Sequence, residues 1–245
     1  MTSSSSSSPS HSVLPTTIAL HTRSTLESNP ALSHAITHLV NDSFARSKEQ
    51  DEGKWDNSIP RFDNVEGLYS LLGGEADEEE EEEETGVVAV MFEGDGEFDK
   101  SDERRNGVNP WPSSSSQTTQ SPIACAAAIP WRGGYGKEGA DTETGWEMKI
   151  VSVRCAPRYQ RRGLAVRLLA FLEEYLVGLE RGARLREGDS QGGSVEFWIL
   201  AAECQVGGYW RRRGYVDVRR TTEGPGVWSC RERFEMLVLK RRVEF

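Results

Sequence analysis

The sequence predicts a single mixed α/β domain, and three observations carry that reading. Between Trp146 and Leu179 a compact apolar, β-branched run leads into a basic turn with one glycine and then into a long stretch with helical spacing. Strand-like and helix-like segments follow in the order β-α-α-β-β-β-α-β-α-β-β, a mixed pattern and not a strict alternation of strand and helix. At 245 residues the chain can bury one real core.

Residues 1–16 are Ser/Pro/Thr-rich and are predicted to be disordered; the domain then spans 17–245. A short strand is expected over 18–22. Pro30 opens a helix over 31–48, with Asn29 as its cap and Leu32, Ile36, Leu39, Val40 and Phe44 along one face. A second helix over 64–72 ends at Gly73-Gly74. His34 and His38 are one turn apart on the first helix, but no third ligand lies nearby and no metal site is predicted.

Two insertions interrupt the domain. Residues 74–85 carry Glu75 and an unbroken run from Asp77 to Glu84, too dense in like charge to pack. It reads as a solvated loop, with a lure for cationic substrates as the functional alternative. Residues 93–121 are polar and Ser/Gly/Pro-rich, with Trp111 as an anchor. Strands are expected over 87–92 on one side of this insertion and 123–129 on the other. A glycine-rich connection over 131–144 leads into the central strand. Pro157 ends that strand, because proline has no amide for a ladder. After the long helix, 181–193 reads as a polar loop, 195–201 as a buried strand and 205–213 as a short helix ended by Gly214. Strands over 216–220 and 234–239 close the chain, joined by a loop over 223–231.

Composition narrows the function classes. The acidic tract holds nine of the negative charges behind the net charge of -10, so the acidity is local. From Val151 to the end there are 18 Lys/Arg against 12 Asp/Glu, a mild basicity that suits an anionic cofactor and is too weak for nucleic acid. The Arg211-Arg212-Arg213 run suits a solvated helix end. No apolar run of about 18 residues exists, so no membrane span is predicted. The four cysteines lack C-x-x-C spacing and read as reduced thiols. With no hydrophobic leader, the expected compartment is the cytoplasm, with the nucleus as the alternative.

The chemistry concentrates in Gln160-Arg161-Arg162-Gly163-Leu164-Ala165. Glycine lets a ligand approach the backbone, and the free N–H groups of the first helical turn together with the helix dipole bind an anion. Arg158, Arg161, Arg162 and Arg167 surround that point with positive charge, and a phosphate is the expected guest. The glycine spacing matches neither a nucleotide P-loop nor a dinucleotide fingerprint.

Gln160-x-x-Gly163-x-Ala165, between a strand and a helix, resembles the Q/R-x-x-G-x-G/A turn of the GNAT superfamily of N-acetyltransferases, and the element order resembles theirs over roughly 18–243. Trp228 and Arg231-Glu232 are similar to a W-x-x-R-E segment of fungal members, which implies a lining for the acceptor pocket. The resemblance implies a central mixed sheet of about six to seven strands flanked by helices and splayed at the cofactor strand. It implies acetyl-CoA as co-substrate. The backbone at Val151, Ser152 and Val153 would pair with the pantetheine and offer the carbonyl donor. The amides from Arg161 through Arg162, Gly163 and Leu164 to Ala165 would take the pyrophosphate, and an arginine such as Arg158 the 3′-phosphate.

The family's later motif, N-x-x-A-x-x-F-Y-x-x-x-G-F, is only partly matched. Aligned on Gly214-Tyr215, Glu203, Val206, Tyr209 and Trp210 stand at its asparagine, alanine, phenylalanine and tyrosine. That tyrosine is the usual acid for the departing thiolate. Trp210 has no acid–base role near neutral pH. Tyr209, about 100° away around a helix, would need a shifted register to substitute, and both aromatics otherwise read as packing. Glu147, between Trp146 and Met148, is the candidate general base, its carboxyl expected to be raised by an apolar setting; a solvent-facing strand end is the other reading. Glu203 is a second candidate. The expected function is N-acetyl transfer from acetyl-CoA to a small-molecule or peptide amine by direct attack. Two alternatives remain: an acyl-CoA-binding module without catalysis, and a scaffold that holds basic partners on the acidic tract.

Overall fold

A computed structural model describes residues 15–51, 53–73, 86–94, 121–137, 143–188 and 192–245. The acidic tract, Trp111 and residues 1–14 lie outside the described residues. Seven strands form one sheet: β1 (Thr16–Thr22), β2 (Val87–Glu93), β3 (Pro122–Pro130), β4 (Trp146–Val153), β5 (Ser194–Ala202), β6 (Val216–Glu223) and β7 (Phe234–Glu244). Their spatial order is β1-β2-β3-β4-β5-β7-β6. Every neighbouring pair is antiparallel except β4 with β5. Thr16, expected in the disordered terminus, and Glu93, expected in the second insertion, pair with each other at the ends of β1 and β2.

Helices cover both faces: α1 (Arg23–Glu27), α2 (Pro30–Lys48), α3 (Val65–Leu72), α4 (Leu164–Arg186) and the short α5 (Gly208–Arg211). Asn29 caps α2 by accepting from the Leu32 amide, and Asn64 caps α3 by accepting from Gly67. Both are asparagines at the position where a short acceptor satisfies a first-turn N–H. The first helix was not expected; its Thr22/Thr25 capping box is its local signal. Leu164, Leu168, Leu172 and Leu176 of α4 pack with Trp146, Met148 and Phe197 into one core. On the other face Leu26, Ile36, Val40, Leu68 and Ile150 form a second core beneath α1–α3. The same face of β5 and β7 is covered by loops, which close over Trp55, Trp131, Trp198 and Phe234.

Three expected segments are corrected. Helix α4 runs to Arg186 and so occupies the start of the loop expected over 181–193. Ala183, Leu185 and the two arginines beside them are good helix formers, and Gly188, in a left-handed conformation, follows the end. The helix expected over 205–213 is a π-helical turn, Glu203–Gly207, followed by α5, with the Gly207-Gly208 pair at the junction. Strand β7 continues past 239 to Glu244 because β5 offers a partner along its whole length.

Two features of β4 shape the centre. Ala127 pairs with Lys149 and Cys125 with Ser152, so two steps of β3 face three of β4. The extra residue is a bulge at Ile150, whose φ of 48° is left-handed. It flips the strand: Trp146 and Met148 face α4 before it, and Val151 and Val153 do so after it. Beyond two pairs, Trp146 with Phe197 and Glu147 with Trp198, β4 and β5 then diverge. No described helix is long and apolar enough to cross a membrane.

Candidate functional site at the splayed strands

The divergence leaves the β5-facing edge of β4 without a ladder past Glu147. Backbone N–H and C=O groups there need partners from elsewhere, since an unpaired buried peptide group is costly. Val151 and Val153 are half-buried toward α4, whereas Ser152 is 1% exposed and its Oγ has no partner among the described residues.

At the end of β4 the chain makes a 3-10 turn at Pro157–Tyr159 and enters α4 through Gly163. Gly163 is the N-cap in a left-handed conformation (φ 71°), and no side chain caps the helix. The N–H groups of the first turn are therefore left for a ligand. A Cβ built on Gly163 would meet nothing within 4 Å, so the approach to those amides is open. Arg161 is also left-handed (φ 57°), a conformation that costs a non-glycine about 1 kcal/mol and marks a turn held by its surroundings. One such restraint is the Gln160 side chain, which donates to the Arg154 carbonyl at 2.8 Å. Arg161 and Arg162 are exposed, Leu164 is buried beneath them and Ala165 is half-buried. Arg158 stacks on Tyr159 at 4.6 Å and meets Glu93 at 3.5 Å, and Tyr159 donates to the same carboxylate at 2.7 Å. Arg167 is bound away to Thr16 Oγ1 at 2.7 Å.

Glu147 sits on the face opposite α4, with Ile129 and Trp198 as cross-strand neighbours. It is 5% exposed, so the solvent-facing reading does not hold. Lys149 Nζ lies 3.3 Å from it, and the charge of Glu147 also acts on the Arg61 guanidinium. Glu147 therefore shares its buried face with two cations. Glu203 is tied up differently. Arg211 grips both its oxygens at 2.8 and 2.5 Å, and this hydrogen bonding holds its carboxyl below the usual range.

Trp210 and Tyr209 part company. Trp210 is 6% exposed in the α4-side core, edge-on to Tyr215 at 5.3 Å. Tyr209 is half-buried on the rim of that core beneath the Arg213 guanidinium at 4.9 Å. Its Oη is buried without a partner among the described residues.

The loops opposite α4 are stapled to each other. Trp55 bridges Cys230, the Asp56 amide donates to the Ser229 carbonyl at 2.8 Å, and the Arg231 amide to that of Lys54 at 2.7 Å. Beneath them Lys48 Nζ donates to the carbonyls of Asp56 and Ile59 and to Ser229 Oγ, at 3.2, 2.9 and 2.7 Å. Burial pushes the Lys48 amine down, with Asp56 opposing. In the W-x-x-R-E segment Trp228 packs on Phe234, Arg231 pairs with Asp56 at 3.3 Å and Glu232 is exposed.

Lys48 and Arg61 were not foreseen. Lys48 continues the Ile36, Val40, Phe44 stripe at a spacing of four, a signal for burial that its charge obscured. Arg61 is a lone arginine in a loop and carries no such signal. His38 Nδ1 pairs with Asp42 at 3.0 Å, and among the described residues no group of three metal-ligating side chains gathers.

Residues 71–198, just over half of the chain, match the profile of the acetyltransferase (GNAT) family. No curated protein matches. Three similar solved structures are a GNAT-family acetyltransferase from Streptococcus pneumoniae, an N-acetyltransferase from Staphylococcus aureus Mu50 and NAA60 from Arabidopsis thaliana in complex with acetyl-CoA. The first is 11% identical, with 94% of this chain and 99% of that one covered and a TM-score of 0.48. The second is 11% identical, with 92% and 96% covered and a TM-score of 0.43. The third is 12% identical, with 93% and 99% covered and a TM-score of 0.45.

Proposed function

From the premise that the chain belongs to the acetyltransferase (GNAT) family, we propose that this enzyme transfers the acetyl group of acetyl-CoA to a primary amine by direct attack on the thioester. One observation carries the reading: β4 parts from β5 beside a helix whose N-terminus has no side-chain cap among the described residues. The freed edge at Val151, Ser152 and Val153 suits the amides of a pantetheine arm. The open amides at Gly163, Leu164 and Ala165 suit a pyrophosphate, with Arg161 and Arg162 adding charge and Arg158 within reach of a further phosphate.

Acetyl-CoA supplies a carbonyl already activated by its thiolate leaving group. The chain's own groups hold it and move protons around it. A backbone N–H of the freed edge donates to the thioester oxygen where negative charge develops. Glu147, on the face away from α4, takes the proton from the acceptor amine, directly or through water. Tyr209, on the α4 face, gives its hydroxyl proton to the departing sulfur. The π-turn at Glu203–Gly207 supports this choice, because its wider winding supplies the one-residue shift that puts Trp210 in the core and frees Tyr209. Base and acid then act from opposite faces of the sheet, so amine and thiol need not cross. The four free thiols fit a reducing compartment, the cytoplasm or nucleus.

Calorimetric titration with acetyl-CoA, against dephospho-CoA and ATP, tests the reading. Micromolar binding that favours acetyl-CoA is expected. Equal binding of ATP, or none of acetyl-CoA, would remove the cofactor assignment.

A further inference from the structure

The loop-covered face around Glu147 carries three buried N–H groups that have no acceptor among the described residues. Arg61 is placed there by a two-way clamp: Asn41 Nδ2 donates to the Phe62 carbonyl and the Phe62 amide donates to Asn41 Oδ1, both at 2.9 Å. Its guanidinium lies 5.5 Å from the Phe44 ring centre and 5.8 Å from that of Phe62. Its Nε is buried with no partner among the described residues, while the rest of the side chain keeps partial access to solvent. The charge of Glu147, which Lys149 meets at 3.3 Å, also acts on Arg61 but leaves its Nε without a hydrogen-bond partner among the described residues. Two more orphan donors share this sheet face. Trp131 stacks on Trp198, the cross-strand neighbour of Glu147, with ring centres 4.3 Å apart and planes at 5°, and its Nε1 has no acceptor among the described residues. Among the described residues Trp55 Nε1 has none either.

Arginine and tryptophan can only donate, so none of these three can satisfy another. A ligand that meets the Arg61 Nε–H would have to bring an acceptor oxygen. A carboxylate meets a guanidinium best, with two lone-pair oxygens for its planar fork. An acceptor that brings cations and no carboxylate would meet Arg61 and Lys149 with only Glu147 to offset them. Resting on the transferase reading above, we infer that the acceptor is a small amine that itself carries a carboxylate, as an amino acid does, with Arg61 as the residue that selects it. Arg61 holds the carboxylate and Glu147 faces the amine. The reaction balances without a further reactant: the amine nitrogen forms the amide bond, the C–S bond breaks, and the amine proton leaves through Glu147 while the sulfur gains one.

The test measures CoA thiol release by the full chain with each common L-amino acid and with its carboxamide, and with spermidine and cadaverine as cationic acceptors. At least one free amino acid should exceed its amide in kcat/KM by roughly ten- to a hundredfold, the range of one charge-assisted contact. Arg61→Met should erase that ratio by raising KM for the acid and not for the amide, with acetyl-CoA affinity and melting temperature unchanged. Arg61→Lys should restore part of it. Amides or polyamines that react as well as the acids, or an Arg61→Met ratio like the wild type, would overturn the inference. If acetyl-CoA binds and no carboxylate-bearing amine reacts, the inference alone falls; if acetyl-CoA does not bind, the transferase reading falls and takes the inference with it.

Discussion

Glu147 and Tyr209 were both readable as candidates in the sequence, yet what each can do is decided by facing, which a strand or helix end does not announce. Register settles it for Glu147, held between Ile129 and Trp198 on the face away from α4. Glu147→Gln keeps the shape and removes the proposed base, so kcat should fall by about 10²- to 10⁴-fold. A carboxylate base works only when ionised: the wild-type rate should drop as pH falls through its titration, and the variant should lack that acid limb. A pH–rate profile at saturating acceptor checks both. For Tyr209 the orphaned Oη is the clue, and the alignment that put Trp210 in its place could not see the core packing of Trp210. Tyr209→Phe should lower kcat by roughly ten- to a hundredfold, near the low end for a general acid because a thiolate leaves readily unaided. An unchanged kcat with saturating acceptor would return Tyr209 to a packing role.

At the scale of elements, the strand-turn-helix from β4 to α4 was legible because each part has a local signal: β-branched residues, a proline stop, a glycine and an apolar stripe. The splay was expected only through the family resemblance, and the bulge had no signal at all. The left-handed Ile150 has no glycine to mark it, and the divergence from β5 depends on a strand more than forty residues later. The end of α4 was misplaced for a similar reason, since charge in 181–193 masked good helix formers. Gly163→Glu tests the turn. Its Cβ has room, so the fold should lose only about 1 kcal/mol for a left-handed non-glycine. The added carboxylate, however, stands on the route to the first-turn amides and opposes an anion there. Acetyl-CoA affinity should fall at least roughly a hundredfold by calorimetry, well beyond the effect of Gly163→Ala, while the melting curve stays cooperative. Equal affinity of the Glu and Ala variants would show that the phosphates lie elsewhere.

Across the whole molecule, seven strands and both helical layers follow from apolar periodicity, but the charge balance of the chain is misleading. Nine acidic residues in 74–85 account for most of the net charge of -10, and the rest of the protein stands near -1. The ends of that insertion meet: the Gly86 amide donates to the Leu72 carbonyl at 2.7 Å, where α3 hands over to β2. A short Gly-Ser linker in place of 74–85 can therefore span the gap, and changing the length of a flexible connection alters closure entropy only slightly. The melting temperature should be unchanged. The electrostatic consequence is larger and has a definite sign. Acetyl-CoA is anionic, so the charge of the tract should repel it at long range whatever the tract does for a cationic acceptor. Its removal should raise the acetyl-CoA association rate severalfold at low ionic strength. The advantage should vanish by about 0.5 M salt, where the screening length shrinks to a few ångströms. Stopped-flow binding across a salt series reads both limits. A variant that binds more slowly at low salt, or that melts several degrees lower, would mean the tract contributes to the site or to the fold and does not merely set its field.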